Sequence, residues 1–422
     1  MRAATGVLIA LALAPAALAA QREPLPLGRA QAVEAALARG ARLAIARADT
    51  AAARAQLLGA RALPNPTLAT SYSRDIPRYH VALELPLYLP GLRSARVRSA
   101  VAGREAALYR FELERALVAL EADTAYTRAL AARAHADLSR RNARAADSLR
   151  RMAAARRDAG DASDLDVELA TVNAGQQANV AVADSLALIA TLLDLQTVIG
   201  LAGDRVLVTL TDSLAPPGDI PLDGAGDGTA PGDGGATAAA APVAMPLRVA
   251  AAEASLAAAR LAALAQHRSL FAAPSLTAGF DAGDPTGEER GLLPTFGIAI
   301  PLPLLDRNRG AIAEAEAARV RAEAELALAR LESRNRITRA TREWEIARER
   351  VARDRRLTAS AERVAAMSLT AYREGAAPLA SVLEAQRNAR DVLAQYVDDV
   401  AAAWVAGATL RALTLTPTAA TR

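Results

Sequence analysis

The chain has 422 residues, room for a large core or for two or three ordinary domains. Hydrophobic residues make up 52% but aromatics only 3%, so alanine and leucine supply the apolar content; such a composition favours long helices over the mixed core of a common enzyme. The 50 basic residues, all arginine, nearly balance 46 acidic ones for a net charge of +4, and no basic block carries interleaved aromatics, which argues against a nucleic-acid surface.

Cysteine is absent, so there is no disulfide framework, no thiolate metal site and no cysteine for lipid attachment. His80, His135 and His267 lie far apart in sequence, and neither a metal site nor a cofactor is expected. Arg2 precedes an apolar run from Val7 to Leu18 that ends in Ala17-Leu18-Ala19, the pattern of a secretory signal peptide over residues 1–20, cleaved after Ala19 or Ala20. No later stretch offers about 18 apolar residues free of charge, so no membrane-spanning helix is expected, and any crossing of a membrane must be by strands.

The first half of the mature chain occupies residues 21–210. After a short Pro-bearing leader, Gln21–Leu27, a helix is expected over Gly28–Leu63, stopped by Pro64. Residues 66–89 read as a strand hairpin, with strands at Pro66–Ser73 and Tyr79–Leu89 around a turn at Arg74–Arg78. One face of the second strand carries Val81, Leu83, Leu85 and Leu87, and the other carries Ala82, Glu84, Pro86 and Tyr88. Strands of this length, with Glu84 opposite the leucines, suit a barrel with lipid outside and water in its lumen. Leu92–Ala159 contains no proline and one glycine, Gly103, which predicts a helix of roughly 100 Å, far beyond a globular helix. A turn follows at 160–163, then a returning helix over 164–201.

Residues 211–246 are rich in glycine, proline, aspartate and alanine and read as a flexible, exposed linker. The second half, 247–422, repeats the plan: a helix over Leu247–Phe271, a strand hairpin within 274–305, a helix over 311–374, a turn at 375–378 and a returning helix over 379–413. Phe296, Ile298, Ile300 and Leu302 form the alternating apolar face there. Pro86 and Pro301, Met152 and Met367, Gly160 and Gly375, and Asn173 and Asn388 are each 215 residues apart, so the chain reads as two copies of one strand–long-helix unit. Trp344 and Trp404 read as packing anchors, and Tyr72, Tyr79, Tyr88, Phe280 and Phe296 as a thin interfacial aromatic belt.

The leader, the duplicated unit and the junctions Leu85-Pro86-Leu87 with Gly91-Leu92-Arg93, and Ile300-Pro301-Leu302-Pro303-Leu304-Leu305-Asp306-Arg307-Asn308-Arg309-Gly310, resemble those of the TolC-like outer-membrane efflux proteins. The second tip turn followed by Val382-Leu383-Glu384-Ala385 adds to the likeness, which spans essentially the whole mature chain. The second junction looks most like the subgroup paired with heavy-metal exporters of the resistance–nodulation–division class. The resemblance implies a mainly α fold with a membrane β-barrel. In it, a homotrimer closes 12 strands in outer-membrane lipid above a periplasmic α-helical barrel. Four strands cannot satisfy their own edges in lipid, so closure by sister copies is also what the physics asks for.

The resemblance further implies a passive exit duct served by a periplasmic adaptor and an inner-membrane pump. The duct of a type I protein secretion system is an alternative within the same family, and an exported soluble helical scaffold is an alternative of another class. No Gly-rich phosphate loop, Gly-x-Ser-x-Gly elbow or His-Glu-x-x-His motif is present, so no enzyme is expected. By the resemblance, the tip residues Gly160, Asp161, Ser163, Gly375, Ala376 and Pro378 meet the adaptor. Asp166 and Glu384 look like the acidic residues of a periplasmic gate. Ser381 takes the place of Asp166 in the second repeat, so the ring is less charged there. Three copies of each carboxylate around one axis would favour cations. Alternatively, they are ordinary solvated helix charges, and the two glycines mark helix stops. Glu84 is expected to face the barrel lumen.

Overall fold

The computed structural model describes residues 25–87, 91–218, 245–269, 274–282, 291–302 and 307–417. The signal peptide, the central part of the linker and Tyr88 lie outside the described residues. In chain order the elements are β1 (Leu25–Leu27), α1 (Arg29–Arg39), α2 (Ala41–Arg61), β2 (Thr67–Tyr72), β3 (Tyr79–Pro86), α3 (Leu92–Asp158) and α4 (Asp164–Val198). There follow β4 (Val208–Leu210), α5 (Leu247–Arg268), β5 (Ser275–Ala282), β6 (Leu293–Ala299), α6 (Arg309–Arg373) and α7 (Leu379–Thr414).

Two helices of 67 and 65 residues, α3 and α6, set the length of the molecule. At 1.5 Å per residue each is about 100 Å long. Nothing in either interrupts the backbone hydrogen bonding, and their buried positions are mostly small. On α3, the buried Ala95, Ala102 and Ala106, and likewise Ala122, Ala129 and Ala136, are spaced by four or seven residues. Alanine at such positions lets neighbouring helices approach closely while keeping high helix propensity. The returning helix α4 packs along α3 and α7 packs along α6, while α3 also touches α7. The lateral order is therefore α4–α3–α7–α6, leaving α4 and α6 at the two outer edges.

The strands β2-β3-β5-β6 form one antiparallel sheet in that order. Its register aligns Leu68, Leu83, Ala278 and Phe296 in one row. The same face carries Val81, Phe280 and Ile298; Leu83 is 47% exposed, Phe296 82% and Ile298 71%. The opposite face carries Thr67, Ser71, His80, Glu84, Thr277, Asp281 and Thr295. Beside them lies Gly279, where a Cβ would stand 2.3 Å from the Val81 carbonyl oxygen, so only glycine fits. Among the described residues β2 and β6 each have one unpaired edge.

The structure corrects four expectations. The helix expected over Gly28–Leu63 is two helices, because Gly40 turns extended at φ −58°, ψ 128° and a Cβ there would sit 2.4 Å from the Ala36 oxygen. Leu25–Leu27, read as a leader, is a strand paired in parallel with Val208–Leu210. The start of the expected linker is pinned: Asp212 Oδ2 accepts the Arg29 N–H at 2.9 Å and lies 2.9 Å from Tyr126 Oη. Trp404 Nε1 donates to the Ala215 oxygen at 2.7 Å while the Arg29 guanidinium stacks 3.9 Å above its ring. The Arg29 N–H, with Tyr126 adding to it, holds the Asp212 carboxyl below its ordinary value, and burial pushes the Tyr126 phenol up.

The fourth correction concerns α4. It is long and apolar enough to cross a membrane by length and composition, with a mean hydropathy of 1.6 over its most apolar 18-residue window. The expectation of no such helix rested on strictly charge-free runs, and Asp184 and Asp194 interrupt those without outweighing the valines, leucines and alanines between them. Only 6% of that window is buried. A helix apolar on all sides and covered on one is a helix short of a neighbour.

Candidate functional site: the paired helix tips

Each long helix ends at a glycine in the left-handed region, Gly160 at φ 86° and Gly375 at φ 76°. The Gly160 N–H donates to Arg157 O at 2.9 Å and Asp161 N–H to Arg156 O at 2.8 Å. In the second tip, Gly375 N–H donates to Tyr372 O at 3.1 Å and Ala376 N–H to Ala371 O at 2.8 Å. This is the same helix stop twice, and a side chain at either glycine would meet backbone strain.

The returning helices start differently. Ser163 caps α4: its Oγ accepts the Asp166 N–H at 3.2 Å, and the Asp166 carboxylate accepts from Ser163 N–H at 3.1 Å and Ser163 O–H at 2.9 Å. The Asp166 carboxylate is thus committed to the cap and half-buried. At the matching position of the second repeat, the Ser381 hydroxyl donates to Pro378 O at 2.8 Å. Glu384, one turn further on, is exposed. It lies with Arg387 and Asp391 in a groove of about 850 Å³ whose other walls are Asn173, Gln176 and Gln177 of α4 and His135 and Asn142 of α3. Asp166 and Ser381 do not line that groove. Gly160, Asp161, Ser163, Gly375, Ala376 and Pro378 are all exposed at one end of the molecule.

The two tips are locked to each other by residues the sequence reading did not single out. The Arg156 guanidinium hydrogen-bonds the Tyr372 carbonyl oxygen, lies 4.7 Å over the Tyr372 ring and reaches Asp161 O at 3.4 Å. Beneath it Leu149, Ala153, Ala170, Leu379 and Val382 close a small core around Tyr372. Burial pushes the Tyr372 phenol above its usual value. The repeat offset carried a signal for this pair: it places Ala371 opposite Arg156 and Arg157 opposite Tyr372, so two otherwise parallel helix ends differ where they touch.

At the other end, Glu84 is exposed on the polar face of the sheet between Thr67 and Thr277. Further along that face, past Ala82, His80 Nδ1 lies 2.8 Å from Asp281 Oδ1. His135 and His267 each pair with a carboxylate as well, Asp398 at 2.8 Å and Glu316 at 3.1 Å. Among the described residues no group of three or more histidine or acidic side chains could hold a metal ion.

A four-stranded sheet with one apolar and one polar face, set on two roughly 100 Å helical hairpins, defines the fold of the TolC-like outer-membrane channels, and this chain has that fold. It superimposes on a membrane protein from Pseudomonas aeruginosa with a TM-score of 0.73 at 21% identity, over 91% of this chain and 93% of that one. For the CmeC outer membrane channel of Campylobacter jejuni the TM-score is 0.74 at 14% identity, over 92% and 85% of the two chains. For the outer membrane protein VceC of Vibrio cholerae it is 0.70 at 16% identity, over 92% and 96%. No protein-family model matches the chain, and no curated protein matches its sequence.

Proposed function

We propose that the chain is one protomer of a homotrimeric outer-membrane exit duct in a tripartite efflux system, a passive conduit between an inner-membrane pump with its periplasmic adaptor and the exterior. The observation that carries this reading is the sheet: apolar and exposed on one face, polar on the other, with β2 and β6 unpaired at its two edges. Three copies joined β6 to β2 make a closed barrel of 12 strands and leave no edge in lipid. The helices ask for the same closure. Leu165, Val172, Val182 and Leu186 of α4 and Leu331, Ile346, Val364 and Met367 of α6 are exposed on opposite outer edges of one chain, where a sister copy would cover them. A soluble scaffold has no use for Phe296 and Ile298 in water.

In this reading Glu84, His80 and Asp281 face the lumen. Gly160, Asp161, Ser163, Gly375, Ala376 and Pro378 form the docking surface for the adaptor. Glu384 supplies the acidic ring at the periplasmic gate. Asp166 and Ser381 act less directly, by setting how α4 and α7 leave the tips. The energy for transport comes from the pump. The experiment is fractionation followed by planar-bilayer recording. The protein should sediment with outer membranes, require detergent, and open ion-conducting channels when purified. A detergent-free soluble protein with no conductance would refute the proposal.

A further inference from the structure

We infer that the junction between the sheet and α3 is a binding site for an anionic glycerophospholipid, with its phosphate on Arg61 and Arg93 and an acyl chain along Leu85 and Leu87. The inference rests on the reading of the sheet as embedded in lipid. A cleft of about 810 Å³ opens where β3 meets the end of α2 and the start of α3. Leu63, Pro64, Leu85 and Leu87 wall it on one side, Arg61 and Arg93 on the other, and no acidic residue lines it. The three leucines are exposed.

The strand sets the depth of the cleft. Leu85 lies in the row Leu85, Leu276, Ile298, the next apolar row after the one that holds Leu83. Leu87 continues that face toward the helices, its N–H donating to Pro274 O at 2.6 Å. Four residues separate Leu83 from Leu87, about 13 Å of strand. The apolar band of a membrane barrel is about 25 Å tall, so a band centred near Leu83 ends close to Leu87. The two arginines therefore stand at the level of the headgroups, and the leucines beside the acyl chains.

The positive charge there is not spent on neighbours. Arg93 Nη2 donates to the Arg61 carbonyl oxygen at 2.9 Å and so joins the end of α2 to the start of α3. Among the described residues the Arg61 guanidinium makes no hydrogen bond or ion pair. Helix α3 opens with Arg93, Arg96 and Arg98 and meets its first acid at Glu105, about 20 Å along. No side chain caps that helix start, so its first N–H groups add positive potential at the same end. Further down the long helices the pattern differs: Arg140, Arg150 and Arg319 each pair with a carboxylate three residues away. Two arginines without acids, beside an apolar cleft continuous with the lipid-facing sheet, fit a ligand that carries one phosphate and long apolar chains. Inorganic phosphate would leave the leucines in water, and a neutral amphiphile would leave the arginines bare.

Native mass spectrometry of the detergent-solubilised particle tests the site, with dioleoylphosphatidylglycerol and dioleoylphosphatidylcholine added in equal amounts. The two lipids share their chains and differ in net headgroup charge. The wild type should retain phosphatidylglycerol in preference, each arginine contributing about fivefold. Arg61→Gln, which breaks no bond among the described residues, should lower the preference about fivefold, and the double variant Arg61→Gln, Arg93→Gln should abolish it. Arg61→Lys keeps the charge and should keep the preference. Arg334→Gln, at an exposed arginine about 38 Å along α6, should match the wild type. All variants should keep the oligomeric state and conductance of the wild type, so a lost preference is separable from a lost duct. Equal retention of the two lipids by the wild type overturns the site. So does a preference kept by the double variant, one lost equally in Arg334→Gln, or displacement of the lipid by inorganic phosphate. A particle that needs no detergent overturns the duct reading, and the site with it.

Discussion

Replacing Leu83 by arginine, and separately Glu84 by arginine, puts the same charge on neighbouring residues of β3 that point to opposite faces. Leu83 is the fifth of eight residues in its strand and sits in the row Leu68, Leu83, Ala278, Phe296, near the middle of the apolar face. In lipid, an arginine facing outward at mid-depth costs about 2–4 kcal/mol, and one facing the lumen costs little. That is about 30- to 700-fold in a folding equilibrium for Leu83→Arg, at about 1.4 kcal/mol per tenfold. It is a large part of a stability of about 5–15 kcal/mol. Glu84→Arg reverses a charge among Thr67, Thr277 and Gly297 and should shift the equilibrium by less than about tenfold. The assay is denaturant titration of refolding into phospholipid vesicles, read by protease protection. Equal losses for the two variants, or a greater loss for Glu84→Arg, would refute the assignment of faces.

Asp166→Ala removes the carboxylate half of the α4 capping box while leaving the Ser163 cap, and should cost about 0.3–1.5 kcal/mol, read as faster proteolytic nicking between residues 158 and 170. Glu384→Ala should raise single-channel conductance and weaken cation preference in planar bilayers, and do so more than Asp166→Ala; unchanged conductance and selectivity would remove Glu384 from the gate. The Tyr372 hydroxyl is buried without a hydrogen-bond partner among the described residues, so Tyr372→Phe should leave thermal stability unchanged or raise it, whereas Tyr372→Ala should cost about 3–5 kcal/mol through the cavity left beneath Arg156. Gly279→Val should block assembly of the sheet, because its side chain would meet the backbone of β3; normal assembly would contradict the close approach.

What could be read from the sequence was what repeats. The 215-residue offset placed both long helices, both tips and both returning helices, because periodicity and glycine stops are local signals that survive without a partner. The alternation of Val81, Leu83 and Leu85 against Glu84 gave the two faces of the sheet for the same reason. What escaped was non-local. Leu25–Leu27 becomes a strand only because Val208–Leu210 lies beside it. Asp212 falls in the expected linker because the stretch it begins is rich in glycine, proline and aspartate, while its partners in space, Arg29 and Tyr126, are 183 and 86 residues away. At the tip, the same Asp166 that reads as an acidic gate residue also closes a capping box, because a carboxylate three residues after a serine at a helix start accepts from that serine. Arg156 and Tyr372 were legible only as a break in the repeat, a difference between copies rather than a motif.

The direct test of the whole account is the mass of the detergent-solubilised particle by native mass spectrometry. Three copies of a chain of at most 43.8 kDa, held without any disulfide and dissociating only on heating, are what the open sheet edges and the bare α4 and α6 surfaces predict. A stable single chain in detergent, or one that stays in solution with no detergent at all, would contradict it.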